Sequence, residues 1–258
     1  MTYSLKPLKW YARLAEKKGR LEAGAFAIEG ERAVRQVAES HPESILEIVT
    51  VESPPPDYDR FNCRRLDERQ FKSISAAGTP QGIMAIVTIP EGLYSPELPE
   101  NAGRRVLLME DIQDPGNAGT LIRTAAAFGY SGVIMTDNGA DPLSPKCVQS
   151  TAGSLLSLWI RRTSRHLETV DSLRARGYIL SAAVLEGNDD PSVSANDDFQ
   201  VLALGNEASG LSDEIVTRAD RTIKIDIDRT KAESLNVAAC GAICMYLSTQ
   251  ICSHRANP

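Results

Sequence analysis

Short apolar runs separated by helix-length segments constrain this chain more than any other feature. Val106-Leu107-Leu108-Met109 and Gly132-Val133-Ile134-Met135 each read as a strand, and Leu121 to Phe128 between them reads as a helix. Further strands are predicted over 178–184, 200–204 and 222–227, and an Ala-rich helix over about 234–250 closes the chain. Strands alternating with helices imply a mostly parallel sheet covered on both faces. Ligands of such sheets bind beyond the carboxyl ends of the strands. The chemistry is therefore expected in the loops after 106–110, after 201–204 and after 222–227.

The first part of the chain alternates too. Residues 5–18 suit a basic helix, Phe26 to Gly30 a strand and turn, 31–39 a helix, Ile45 to Val51 a strand, Leu66 to Ile74 a helix and Gly82 to Ile89 a strand. Residues 91–104 are rich in Pro, Gly and Glu and lack apolar periodicity, so they read as a linker. That divides the chain into a small α/β domain over 1–95 and a larger one over 105–258. The polar stretch 186–198 reads as a surface loop.

A chain of 258 residues with 42% hydrophobic content has enough apolar material for a core without disulfides or metal. Five cysteines include no CxxC pair, and Cys240 and Cys244 read as small buried thiols. No metal is expected, since structural zinc needs four paired ligands. The N-terminus lacks the apolar run of a signal peptide and no stretch reaches membrane-span length, so a cytoplasmic protein is expected. His41, His166 and His254 read as surface residues. Net charge is −6, yet Lys6, Lys9, Arg13, Lys17, Lys18 and Arg20 stand against Glu16 alone, and Arg161, Arg162 and Arg165 form a second cluster. Such clusters either neutralise RNA phosphates or are solvated surface.

The first loop runs from Asp111 to Ala125. Pro115-Gly116 makes a turn, and Asn117 is expected to cap the following helix. Arg123 reads either as a charge on the exposed stripe of that helix or as a working group. The second loop, Leu204-Gly205-Asn206-Glu207-Ala208-Ser209-Gly210-Leu211-Ser212, presents polar groups directly after an apolar strand, and Ser212 can cap the next helix. In the third, Ile225 to Val237, Ser234 is a natural N-cap and Asn236 an awkward first-turn residue.

Taken together, NAGTLIRTAAAFG (117–129), LGNEASGLS (204–212) and ESLNVAAC (233–240) resemble the three motifs of the SpoU/TrmH group in the SPOUT superfamily of RNA methyltransferases. FAIEGERAV (26–34) and GTPQGIMAIV (78–87) resemble the small L30e-like domain that precedes the catalytic one in many members. The resemblance implies a SPOUT-type parallel sheet with a trefoil knot, a rare exception to the rule against threaded connections. It implies S-adenosyl-L-methionine as cofactor, with Gly205, Ile225 and Leu235 lining its pocket and Ile227 nearby. It implies a homodimer with the active site near the subunit interface. By position, the catalytic residues would be Asn117, Arg123, Glu207, Ser234 and Asn236.

The implied reaction is transfer of a methyl group to a ribose 2′-hydroxyl of a structured RNA, with ribosomal RNA preferred over transfer RNA. Alignment supplies much of the acceleration in an in-line displacement. A guanidinium stays protonated in proteins, so Arg123 is expected to grip a phosphate and stabilise the developing alkoxide, with base action by it as the alternative. Two rival readings are a non-catalytic RNA-binding relative and a base methyltransferase of another SPOUT branch. Three departures bear on cofactor affinity. Ala208 stands where Gly is usual, Asp226 where Pro is common, and 228–231 replace a Gly-containing stretch.

Overall fold

The computed structural model describes residues 6–249, so Cys252 and His254 lie outside the described residues. Its strands are β1 (Ala25–Glu29), β2 (Ile45–Thr50), β3 (Cys63–Arg65), β4 (Ile83–Thr88), β5 (Arg105–Met109), β6 (Gly132–Thr136), β7 (Trp159–Thr163), β8 (Ile179–Ala183), β9 (Gln200–Leu204) and β10 (Arg221–Ile223). Its α-helices are α1 (Leu8–Ala12), α2 (Lys17–Ala23), α3 (Glu31–Ser40), α4 (Glu68–Ile74), α5 (Pro115–Ala127), α6 (Pro145–Thr151), α7 (His166–Ala175), α8 (Asp213–Arg218) and α9 (Val237–Leu247).

Contacts divide the chain into two units. The first comprises the described residues up to Glu91 together with Asp141–Leu156. Its sheet has the order β1-β4-β2-β3. β4 pairs antiparallel with both β1 and β2, and β2 pairs parallel with β3. Alternate positions of these strands bury Phe26, Ile28, Ile48, Ile86 and their neighbours. The helix expected over 5–18 breaks into two. α1 ends in a 3-10 turn, Glu16 is extended, and α2 doubles back. Gly19 permits this, because a Cβ there would lie 2.0 Å from the Arg13 carbonyl oxygen.

The leading basic segment is not one solvated cluster. Arg20 is 2% exposed, donating to the Leu14 and Ala15 carbonyls at 2.9 Å and to Asp141 Oδ2 at 2.6 Å. Arg13 is paired with Glu22. A buried pair of the Arg20–Asp141 kind costs several kcal/mol when one member is removed, and here it ties the 141–156 segment to the rest of its unit.

The second unit holds a six-stranded sheet of order β10-β8-β9-β5-β6-β7, with every pairing parallel. Val106, Leu108, Ile134, Leu180, Val201 and Ala203 from the strands pack with Val170 and Leu173 of α7 and Ile215 of α8. On another side α9 packs against α5 and β9, where Gly241 allows close approach: a Cβ there would lie 2.3 Å from a Leu121 methyl. The parallel sheet preceded by a smaller α/β unit is the arrangement that the strand–helix alternation implied.

Several expectations need correction. β7 and α7 are absent from the elements predicted above, and Arg161 and Arg162 of β7 neither neutralise RNA phosphates nor form a solvated surface. Both are buried, at 9% and 8% exposure. Arg161 Nε donates to the Glu97 carbonyl at 2.6 Å, and Arg162 Nη2 to the Gly139 carbonyl at 3.0 Å. They are internal struts, and Arg165 alone of the three is exposed, paired with Glu168. The stretch 91–104 has no helix or strand but is no free linker from residue 92 onward. Leu93 is 1% exposed, its carbonyl accepts from Arg162 N at 2.7 Å, and Trp159 Nε1 donates to the Ala102 carbonyl. The strand expected over 222–227 stops at Ile223. Beyond it Asp228 caps its own turn by accepting from Thr230 N and Oγ1 at 3.1 and 2.6 Å. The loop at 186–198 contains a 3-10 turn, Pro191–Asn196. His166 is not a surface residue, its side chain being 19% exposed.

Candidate active site

The three loops meet at the carboxyl edge of the second unit's sheet. After β5 the chain passes through Glu110 and then Asp111, whose φ of +54° is unusual for a side chain-bearing residue. Thr136 at the end of β6 holds it there, donating to Asp111 Oδ1 at 2.5 Å and accepting from Asp111 N at 2.7 Å. The helix expected over 121–128 begins earlier, with Pro115 in its first turn. Its N-cap is Asp114, whose Oδ1 accepts from Asn117 N at 2.9 Å. Asn117 is therefore not the cap, and its amide is free for other partners.

Those partners are the other two loops. Asn117 Nδ2 donates to Glu207 Oε1 at 3.0 Å, and Asn117 Oδ1 accepts from Asn236 Nδ2 at 3.0 Å. Glu207 also accepts from the backbone N–H of Gln113 at 3.1 Å and of Asp114 at 3.3 Å. Asn236, rather than Ser234, caps α9, its Oδ1 accepting from Ala238 N at 2.9 Å and Ala239 N at 3.3 Å. The first-turn awkwardness of Asn236 disappears, because it is the cap. The second loop is closed by a mutual backbone pair, Asn206 N to Gly210 O at 3.0 Å and Gly210 N to Asn206 O at 2.9 Å. Asn206 Oδ1 accepts from Ala208 N and Ser209 N, and its Nδ2 donates to the Asp111 carbonyl at 2.8 Å. Ser212 caps α8 as expected.

Burial alone raises the Glu207 carboxyl. The Asn117 amide and the backbone donors of Gln113 and Asp114 outweigh it and hold the group below its usual range. A carboxyl lowered on folding contributes stability above its unfolded value and loses it as pH falls through the folded one. The stability gap between wild type and Glu207→Gln is therefore expected in full at neutral pH, closing below the ordinary carboxylate range. Urea unfolding of both proteins across pH checks this, and a gap that widens on acidification contradicts it.

A cleft of about 710 Å³ opens beside this chain of bonds. Gly205, Ile225, Ile227 and Leu235, the residues expected at the cofactor, line it together with Glu207, Ser234 and Asn236. Leu204, Leu211, Ile223, Cys240 and Cys244 complete its apolar wall. Its volume lies in the usual range for small-molecule sites. Gly205 brings backbone to backbone here, since a Cβ would lie 2.2 Å from Gly210 C and Leu211 N. An apolar wall with exposed backbone and a polar rim suits a nucleoside-bearing sulfonium. Arg123 and Ser234 stay outside the hydrogen-bonded chain. Both are exposed, and neither forms a hydrogen bond or ion pair among the described residues; Arg123 does not line the cleft. Asp111, Gln113 and Glu110 were not singled out from sequence. A carboxylate placed directly after an apolar strand was the available signal for Glu110.

A parallel sheet with its cleft and convergent polar groups at the carboxyl edge defines a ligand-binding α/β domain. The profile of the SpoU rRNA Methylase family matches residues 104–246, and that of the MRM3-like substrate binding domain matches 6–85. The 23S rRNA (guanosine(2553)-2'-O)-methyltransferase RlmP of Bacillus subtilis is 33% identical over 244 residues, covering 93% of this chain and 94% of that protein. The AdoMet-bound rRNA methyltransferase of Sinorhizobium meliloti superposes with a TM-score of 0.80 at 26% identity, over 97% of each chain. The SpoU methyltransferase AviRb of Streptomyces viridochromogenes, in complex with AdoMet, gives a TM-score of 0.83 at 23% identity, over 99% of this chain and 100% of that one. The chain belongs to the SpoU rRNA methylase family.

Proposed function

We propose that this chain transfers the methyl group of S-adenosyl-L-methionine to a ribose 2′-hydroxyl of ribosomal RNA. One observation carries the reading: Glu207, Asn117 and Asn236, from three separated segments, form a single hydrogen-bonded chain, and two of the three line the apolar cleft. The full-length relative named as a 23S rRNA 2'-O-methyltransferase and the AdoMet-bound Sinorhizobium structure support it. Gly205, Ile225, Ile227 and Leu235 would hold the cofactor, which supplies an electrophilic methyl on a sulfonium. Glu207 fixes the Asn117 amide, Asn117 fixes Asn236, and Ser234 is left exposed beside them to meet the ribose. Arg123 binds the substrate phosphate and stabilises the developing alkoxide.

The assembly that completes the site is a homodimer. Arg123 lies on α5, and α9 packs on α5 with Ile243 and Tyr246 exposed at 37% and 49%, Tyr246 lying against Phe128. A second copy covering this apolar face would bring one protomer's Arg123 to its partner's cleft. Residues 1–95 would bind the RNA and 105–258 the cofactor, the latter through the family's threaded trefoil knot. No helix among the described residues is long and apolar enough to cross a membrane, and we place the enzyme in the cytoplasm. Mapping 2′-O-methyl sites in total RNA with and without the protein tests the reading. Loss of one ribose methyl in ribosomal RNA is expected. Loss of a base methyl instead, or no change, overturns it.

A further inference from the structure

We propose that Glu110 is a positioning residue for this reaction, stapling both ends of the 205–212 loop that forms one wall of the cleft. The inference rests on the methyltransferase reading above. Glu110 sits just beyond β5 and is 6% exposed. Its backbone N–H donates to the Leu204 carbonyl at 2.9 Å, at the entry to the loop. Its carboxylate takes the exit: Oε2 accepts from Ser212 N and Oε1 from Ser212 Oγ, each at 2.7 Å. Between these two anchors stand Gly205, Asn206 and Glu207, all lining the cleft. The residue after Glu110, Asp111, receives the Asn206 amide. One dipeptide therefore fixes the loop at its start, its middle and its end.

A buried carboxylate is a poor source of stability, because its desolvation offsets most of what its partners return. Its value here is geometric. Bonds to a charged acceptor are short and directional, and two from one residue leave Ser212 no rotational freedom. His166 orients the carboxylate in turn, with Nε2 3.3 Å from Oε1. Its Nδ1 is buried without a hydrogen-bond partner, so the Glu110 contact is the one polar bond seen for this ring among the described residues.

The test compares wild type, Glu110→Gln, Ser212→Ala and the core control Val170→Ala, each well below its melting temperature. Calorimetry with S-adenosylhomocysteine reads the cleft, and RNA affinity is measured in parallel. Glu110→Gln is expected to weaken cofactor-product binding by about tenfold or more, with RNA affinity within about twofold. Ser212→Ala, which keeps the backbone N–H, should lose about threefold. Val170→Ala should lower the melting temperature and leave binding unchanged, which separates positioning from general stability. Unchanged binding in Glu110→Gln overturns the proposal, and should that variant not fold, wild-type binding by Ser212→Ala does so. No binding by wild type itself sinks the functional reading instead.

Discussion

Arg123→Ala is expected to cut methyl transfer by about 10²- to 10³-fold while leaving cofactor affinity within about twofold, the loss typical of removing one donor to a developing anion. The side chain is exposed and makes no hydrogen bond or ion pair among the described residues, so its removal orphans nothing. Stability should stay within about 0.5 kcal/mol of wild type, as for other surface substitutions. Arg123→Lys should restore little, because an ammonium offers a point charge where a planar fork is needed. If two protomers share the site, as proposed above, a sharper prediction follows. Arg123→Ala and a cleft variant such as Leu235→Asp should each be nearly inactive alone. Mixed and reassociated in equal amounts, they should recover about a quarter of wild-type turnover, since half the dimers are mixed and each has one intact site. Wild-type turnover by Arg123→Ala alone sinks the catalytic assignment. Failure to recover on mixing sinks the shared site while leaving the residue's role standing.

What could be read beforehand was whatever depends on local pattern. The apolar runs at 106–109 and 132–135 suit buried parallel strands, and both lie inside the sheet with a strand on either side. The second loop was legible because polar residues directly after such a strand must emerge at its carboxyl edge. The caps were not. Asn117 and Ser234 were both plausible caps, yet Asp114 and Asn236 do the work, because the helix registers are set by packing that no local spacing reports. The error mattered, since freeing Asn117 from capping is what lets it join Glu207 to Asn236. Arg161 and Arg162 misled for a related reason. A charge cluster looks the same in sequence whether its guanidinium groups face water or donate to backbone carbonyls in the interior. Ala208 is not among the residues with positive φ, so its side chain carries no left-handed backbone strain.

Gly205→Ala should be the most damaging single-methyl change in the cleft. The added Cβ would meet Gly210 C and Leu211 N at 2.2 Å and Gly210 O at 2.4 Å. These are backbone atoms, so no rotamer relieves the clash. The loop can yield only by opening the Asn206–Gly210 pair, which also displaces Glu207 from Asn117 and deforms the cleft wall. Overpacking of this kind costs about 1–3 kcal/mol, and cofactor affinity should fall by about a hundredfold as its binding wall moves, a two-decade loss equal to about 2.7 kcal/mol. Gly210→Ala is the natural comparison. Its φ of +72° is unfavourable for alanine, but no atom lies within 4 Å of the new Cβ. The cost is then the dihedral alone, about 1–2 kcal/mol, with the cleft wall left in place. Urea unfolding and cofactor calorimetry on both variants give the ranking. Should Gly210→Ala impair binding more than Gly205→Ala, backbone conformation rather than close approach is what demands glycine in this loop.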